Sequence, residues 1–198
     1  MLDGSLRLLL RRLGLVFLFY TLLRAIFLLF NYESFTEASA GQVALAFVYG
    51  LRFDAAAVVI VNSLFILLSL FPHGNVQRRT YQRVLHWVFV LSNAPFIALA
   101  LVDVEFFKFI GRRSGNEIFT ITGDIMNQVS QLASYYWYMG LGFVALVGVL
   151  SRLFPKAPAI PVGTSKIWHR YLRLIGMAAF VVLGIRGGIQ LKPLRPAH

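Results

Sequence analysis

The chain contains no cysteine among its 198 residues, so disulfide bonds, thiolate metal sites and a cysteine nucleophile are excluded. Acidic side chains are also scarce: eight Asp and Glu stand against 19 Lys and Arg, which gives a formal net charge of +11. The histidines are scattered, with no spacing or acidic companion that would build a metal site. Phosphate-binding glycine loops and nucleophile elbows are lacking. The sequence therefore predicts no catalytic residue, no metal ligand and no cofactor in this chain.

Long apolar runs are what the chain does have. It is 58% hydrophobic and 14% charged, and its mean hydropathy is +0.71. A helix needs about 20 residues to cross the hydrocarbon core of a bilayer. Unpaired backbone groups are too costly in lipid for other structures, and no alternating barrel pattern appears. We therefore predict an all-α polytopic membrane protein, with a bundle at 1–190 and transmembrane helices at about 13–30, 42–71, 84–104, 136–154 and 171–189.

A segment at about 116–134 is too polar to cross the membrane. Apolar residues recur there every three or four positions from Ile118 to Leu132, and polar residues face the other way. This pattern predicts an amphipathic helix in the outer interface. A helix packed over the mouth of the bundle, without a lipid role, remains the alternative. In the third predicted span, Pro95 follows Ser92 and Asn93, and we expect it to kink the helix.

The basic residues fix the predicted orientation. Three segments carry 11 of the 19 arginines and lysines: the N-terminus, the loop after the second span, and the loop after the fourth. The loop at 31–41 contains Glu33 and Glu37 and no Lys or Arg. By the positive-inside rule the N-terminus lies in the cytoplasm, and five crossings place the C-terminus outside a bacterial cytoplasmic membrane. With basic segments assigned to the membrane surface, nucleic acid is not an expected partner.

Several charged side chains fall at membrane depth toward the outer leaflet. Such charges are costly unless they are paired or hydrated, so their clustering indicates a binding site. Arg52 and Asp54 are two positions apart, about 200° around a helix, and must find partners on other helices. Guanidinium groups match phosphate oxygens well. We therefore predict a lipid-headgroup site, with Arg52 or Arg186 as the main contact, formed by Arg24, Arg52, Asp54, Asp103, Arg112, Arg113 and Arg186. Structural ion pairs and snorkelling side chains are the alternative.

Three stretches carry a resemblance to a known family. They are Tyr49-Gly-Leu-Arg-Phe-Asp54, Asp103-x-Glu105-Phe-Phe-Lys-Phe followed by Arg112-Arg113, and Arg186-Gly-Gly-Ile-Gln-Leu-Lys-Pro-Leu-Arg-Pro. In order and predicted topology they resemble the membrane region of lipoteichoic-acid-synthase-like proteins, the sulfatase-type phosphoglycerol transferases. The resemblance implies a five-helix anchor, a linker beginning at 191–198, and an extracytoplasmic catalytic domain that the sequence lacks. It also implies a threonine nucleophile and a divalent metal, Mn or Zn, in that absent domain.

The resemblance leads to a functional expectation. We expect a membrane anchor that presents a phosphatidylglycerol-like phospholipid to its own catalytic domain, and we expect the sequence to be a fragment of the transferase. By itself this chain should do no chemistry. Two alternatives stay open: the membrane domain of a phosphoethanolamine transferase, and a small stand-alone transporter or channel subunit. A reading frame that continues beyond His198 for several hundred residues of soluble type would favour a transferase.

Overall fold

The computed structural model describes residues 4–36, 38–70, 78–110 and 135–157, together with Gly176. All regular structure in these ranges is helical, which confirms the all-α prediction for the described part of the chain. The helices are α1 (Gly4–Phe30), a short 3₁₀ helix (Tyr32–Phe35), α2 (Ala40–Val61), α3 (Ser63–Leu70), α4 (Arg79–Ile110) and α5 (Trp137–Leu153).

Three helical stretches are long and apolar enough to cross a membrane. They are Gly4–Phe30, Ala40–Val61 and Arg79–Glu105, and α5 is a shorter apolar helix of 17 residues. These lengths and compositions are compatible with a membrane protein. The predicted interfacial helix at 116–134 lies outside the described residues, and so does the predicted span at 171–189 apart from Gly176.

The predicted span at 42–71 is not one uninterrupted helix, because α2 ends at Val61 and α3 begins at Ser63. Asn62 lies between them and is fully buried. Its side-chain amide donates to the carbonyl of Val58 at 3.0 Å, and its backbone N–H donates to the same carbonyl at 3.1 Å. Asparagine side chains compete with the backbone for hydrogen bonds, which explains a break at this residue.

Other helix ends also differ from the sequence prediction. The helix predicted at 13–30 begins at Gly4, and the helix predicted at 84–104 extends over Arg79–Ile110. In both cases polar and basic residues continue the helix beyond its apolar part, which hydropathy alone does not detect. The helix assignment of α4 continues through Pro95. At the start of α2, Ser39 and Gln42 form a capping box, in which each side chain accepts from the backbone N–H of the other residue.

Helix α1 is the centre of the described bundle. It packs against α2, α3, α4 and α5, and α4 packs in turn against α3 and α5. The end of the bundle near the start of α1 has an apolar interior, in which Val16, Phe65 and Phe89 are fully buried. By contrast, α2 and α4 both lie on α1 and barely touch one another. A groove over α1 is therefore left between them.

Candidate functional site

The groove between α2 and α4 holds a partly open cavity of about 190 Å³. Helix α1 forms its floor, and the other two helices form its walls. Phe96 and Leu99, on the α4 wall, are 43% and 41% exposed, so the cavity opens at the apolar surface of the bundle. Its lining combines three charged groups, Arg24, Asp54 and Asp103, with less polar side chains. The other lining residues are Tyr20, Leu23, Phe27, Ala57, Phe96, Leu99 and Ala100.

An ion pair joins the floor of the groove to one wall. Arg24 Nη2 donates to Asp54 Oδ1 at 2.5 Å. Both side chains are largely buried, with exposed fractions of 18% and 12%. A carboxylate in an apolar environment is costly without a cationic partner, so this pair fixes α2 against α1. The prediction that Asp54 finds its partner on another helix is confirmed.

Gly50 makes this geometry sterically feasible. It lies one helical turn before Asp54 on the same face of α2. A β-carbon built at position 50 would overlap Nη1 of Arg24, so the guanidinium rests directly against the helix backbone. Any larger residue at this position would require the Arg24 side chain to move. Gly50 is thus a positioning residue for the ion pair.

The ion pair is not fully satisfied. Arg24 Nε and Asp54 Oδ2 are buried and have no hydrogen-bond partner in the part of the chain that the structure describes. Buried polar atoms are usually paired with protein, water or ligand, so two such atoms beside one cavity can take hydrogen bonds from a molecule bound in it. The arrangement offers a cationic donor on the floor and an anionic acceptor on the wall. It can bind a polar group.

A hydrogen-bonded amide cluster adjoins the groove on the side of the apolar interior. Tyr20 lines the cavity, and its hydroxyl donates to Asn93 Oδ1 at 2.9 Å. Asn93 and Asn62, both fully buried, donate to one another at 2.8 and 3.2 Å. Beyond them lie the buried rings of Phe65 and Phe89, whose centroids are 5.2 Å apart. The cavity therefore ends at these residues on its inner side.

The structure brings together three of the residues that the sequence predicts for the site: Arg24, Asp54 and Asp103 all line the groove. Arg52 lies on the opposite face of α2 from Asp54, is exposed, and has no ion pair or hydrogen bond among the described residues. The expectation that Arg52 is held by another helix is therefore not met in this part of the chain. The predicted contacts Arg112, Arg113 and Arg186 lie outside the described residues.

A second buried cation escaped the sequence reasoning. Arg12 is 2% exposed; its Nε donates to the Pro155 carbonyl at 3.0 Å and its Nη2 to Gln82 Oε1 at 2.8 Å. The guanidinium carbon lies 4.1 Å from the ring centroid of Phe154 and 5.9 Å from that of Phe65. No carboxylate contacts it within the described ranges. From the sequence Arg12 was indistinguishable from the other basic residues near the N-terminus, and only packing identifies it.

Two residues at or beside the site carry weaker sequence signals. The four-residue spacing of Gly50 and Asp54 places them on one face of a helix, and Asn93 lies two residues before the proline of the expected kink. Among the described residues, no group of three His, Asp or Glu side chains could hold a metal ion.

Comparisons of the chain with models of protein families, with curated proteins and with solved structures find no match.

Proposed function

We propose that this chain is a membrane domain that binds the headgroup of a phospholipid in the groove between α2 and α4. The observation that carries the proposal is the Arg24–Asp54 pair, which is buried, incompletely hydrogen-bonded and directly beside a cavity. A guanidinium group is the side chain best suited to bind phosphate, since it offers several donors in one plane. The apolar walls around it suit the adjoining part of a lipid molecule.

The amide cluster favours a binding site over a pathway through the bundle. Tyr20, Asn62 and Asn93 satisfy one another and lie between the cavity and the apolar interior. A channel or transporter needs a polar route that continues past this level. The described inner half contains instead packed aromatic and aliphatic side chains, and its buried cation, Arg12, lies on the ring of Phe154 and is bonded to Pro155 and Gln82. This arrangement supports a site that is loaded from one side.

The orientation of the groove is part of the proposal. Arg24 lies about 9 Å before the end of α1 at the rise of a regular helix, toward the loop that carries Glu33. The basic segments at the other end of the helices suggest that this loop is extracytoplasmic. The groove then lies at the depth of the outer leaflet of a bacterial cytoplasmic membrane.

We further propose that the domain anchors an extracytoplasmic lipid-headgroup transferase of the sulfatase type. The support is the order of the three family-like stretches, together with the meeting of two of them around one cavity. Gly50 and Asp54 belong to the first stretch and Asp103 to the second. The metal and the nucleophile implied for such an enzyme belong to its catalytic domain. A phosphoglycerol transferase is the proposed type, and a phosphoethanolamine transferase is the alternative.

Native mass spectrometry of the purified chain tests the binding function. The parent should retain phospholipid, and Arg24→Gln should reduce that retention severalfold because the groove loses its phosphate donor. Arg52→Gln is the matched control, since it removes an exposed arginine from α2 and should leave retention unchanged. Equal retention by all three proteins would contradict the proposal. The transferase assignment is tested separately, by whether the encoding reading frame continues beyond His198 into an α/β domain.

A further inference from the structure

We propose that Asp54 makes the groove selective for phospholipids whose headgroup carries a hydrogen-bond donor in addition to the phosphate. This inference rests on the proposed function, because it specifies which lipids the same groove accepts. Two headgroup chemistries provide the donor: a primary ammonium, as in phosphatidylethanolamine, and a hydroxyl, as in phosphatidylglycerol. A phosphate methyl ester and a quaternary ammonium do not.

The argument begins with the hydrogen bonds that Asp54 lacks. The residue is 8% exposed and lines the cavity, and an ionised carboxylate can only accept hydrogen bonds. Its Oδ1 accepts one, from Arg24, and its Oδ2 accepts none among the described residues. The wall of the groove therefore already has an unmet requirement for a donor.

Binding of a phosphate at Arg24 would enlarge that requirement. Phosphate oxygens compete with Asp54 for the same guanidinium, and they bring a second negative charge close to the carboxylate. A buried acceptor that loses its donor is costly, and a buried charge that loses its partner is more so. A headgroup donor that reaches Asp54 replaces the hydrogen bond that Arg24 gives up. A headgroup without a donor leaves the Asp54 carboxylate with no hydrogen bond to replace the one from Arg24.

The geometry of the pair also sets where the donor must lie. Arg24 and Asp54 are in direct contact, so the two groups that recognise the headgroup are adjacent. Gly50 holds the guanidinium flat against α2, which keeps this arrangement compact. A donor separated from the phosphate ester oxygen by a two-carbon link, as in ethanolamine or glycerol, can therefore engage Asp54 while the phosphate engages Arg24.

Two lipid series that keep charge constant test the selectivity on the purified full chain. In the first, phosphatidylethanolamine is compared with its monomethyl and dimethyl derivatives and with phosphatidylcholine, so that N–H donors disappear while the cation remains. In the second, phosphatidylglycerol is compared with phosphatidylmethanol. All lipids carry identical acyl chains. Native mass spectrometry should show about tenfold weaker retention of the donor-free member, equivalent to about 1.4 kcal/mol.

A matched pair of variants assigns the selectivity to Asp54. Asp54→Asn removes the negative charge and supplies an amide donor, so discrimination within each series should largely disappear. Glu33→Gln removes an exposed carboxylate outside the groove and should leave discrimination intact. If Asp54→Asn fails to fold, the two series measured on the parent still decide whether the groove selects for a headgroup donor.

The outcomes separate this inference from the proposed function. Discrimination in one series alone supports the inference and identifies the ammonium or the hydroxyl as the donor. Lipid retention that depends on Arg24 but is equal for donor-bearing and donor-free lipids overturns the selectivity and leaves the binding function standing. Absence of lipid retention, or retention that Arg24→Gln leaves unchanged, overturns both.

Discussion

Asn62 and Asn93 donate side-chain hydrogen bonds to one another, at 2.8 and 3.2 Å, in a fully buried position between two helices. Each amide also donates to a carbonyl one turn earlier in its own chain segment, Asn62 to Val58 and Asn93 to Phe89. The pair thus links the α2–α3 junction to α4, and the hydroxyl of Tyr20 adds α1. Three segments of the bundle meet through one set of hydrogen bonds.

Replacing both amides should cost less than the two single replacements added together. Asn93→Leu would leave the Tyr20 hydroxyl without its acceptor and Asn62 Oδ1 without its donor, while the Asn62 amide keeps its bond to Val58. We expect a loss of about 1–2 kcal/mol in the free energy of unfolding. Asn62→Leu combined with Asn93→Leu removes both partners and should cost less than the sum of the single changes. Unfolding in detergent micelles, followed by circular dichroism, measures the difference. Additive losses would show that the two amides do not act as a pair.

Gly50→Ala should destabilise the bundle although alanine is the better helix former. The added methyl group overlaps Nη1 of Arg24, so the guanidinium must leave its position beside Asp54. We expect a lower melting temperature and severalfold weaker lipid retention. Gly142→Ala in α5 is the matched control, because no atom lies within 4 Å of the new methyl group. It should be neutral or stabilise by up to about 1 kcal/mol.

A double-mutant cycle measures the coupling between Arg24 and Asp54. Asp54→Ala leaves a largely buried guanidinium without its carboxylate, and we expect a cost of about 3 kcal/mol. Arg24→Ala alone should cost a similar amount for the converse reason. Once either residue has been replaced, the second change should cost much less. A coupling energy near zero would mean that the ion pair contributes no stability and does not hold α2 against α1.

Arg12→Lys should destabilise the end of the bundle opposite the groove. Lysine keeps the positive charge but cannot bond to both Pro155 and Gln82 while lying flat on Phe154, so we expect a loss of about 1–3 kcal/mol. Arg11→Lys is the matched control, because Arg11 is the preceding residue and is exposed. Its stability should match that of the parent. A similar loss from both changes would indicate a general requirement for arginine near the N-terminus rather than this packing.

Cysteine labelling in intact cells tests the orientation. Since the chain has no cysteine, a single introduced thiol gives an unambiguous signal. Glu33→Cys should react with a membrane-impermeant maleimide, and Arg79→Cys should react only after the membrane is permeabilised. The reverse pattern would place the groove at the cytoplasmic leaflet. Positions 33 and 79 both lie near helix ends, so neither change should disturb the packed interior.

The all-helical fold class could be predicted from the sequence, because a helix that crosses a bilayer requires a long apolar run. Apolar run length also misplaced the helix ends. Helix α4 begins at Arg79, in a polar stretch that the hydropathy pattern does not count as part of a span. The hydropathy pattern also missed the break at Asn62, where a single amide inside an apolar run interrupts the helix. Side-chain hydrogen bonding, rather than hydropathy, decides that boundary.

At the candidate site, the sequence predicted the level of the charged side chains along the helices better than it predicted which residues they contact. Rise along a helix places Arg24, Asp54 and Asp103 near one level, and these three do meet around the groove. The angular separation of Arg52 and Asp54 showed that they face different ways, but it could not tell which of them faces inward. The role of Gly50 depends on how closely α1 approaches α2, and no property of the single sequence sets that distance.

The division of the second helical stretch at Asn62 has a consequence for local stability. Only Gly50, Asp54 and Val58 are buried among the 22 residues of α2, whereas Phe65, Ile66 and Leu70 are buried among the eight of α3. Most of α2 is therefore attached through a narrow strip that includes the ion pair. Segments with few buried contacts open at lower free energy than the rest of a protein. The α2 wall of the groove should therefore exchange its amide hydrogens sooner than α3, and a bound headgroup should slow that exchange without altering α3.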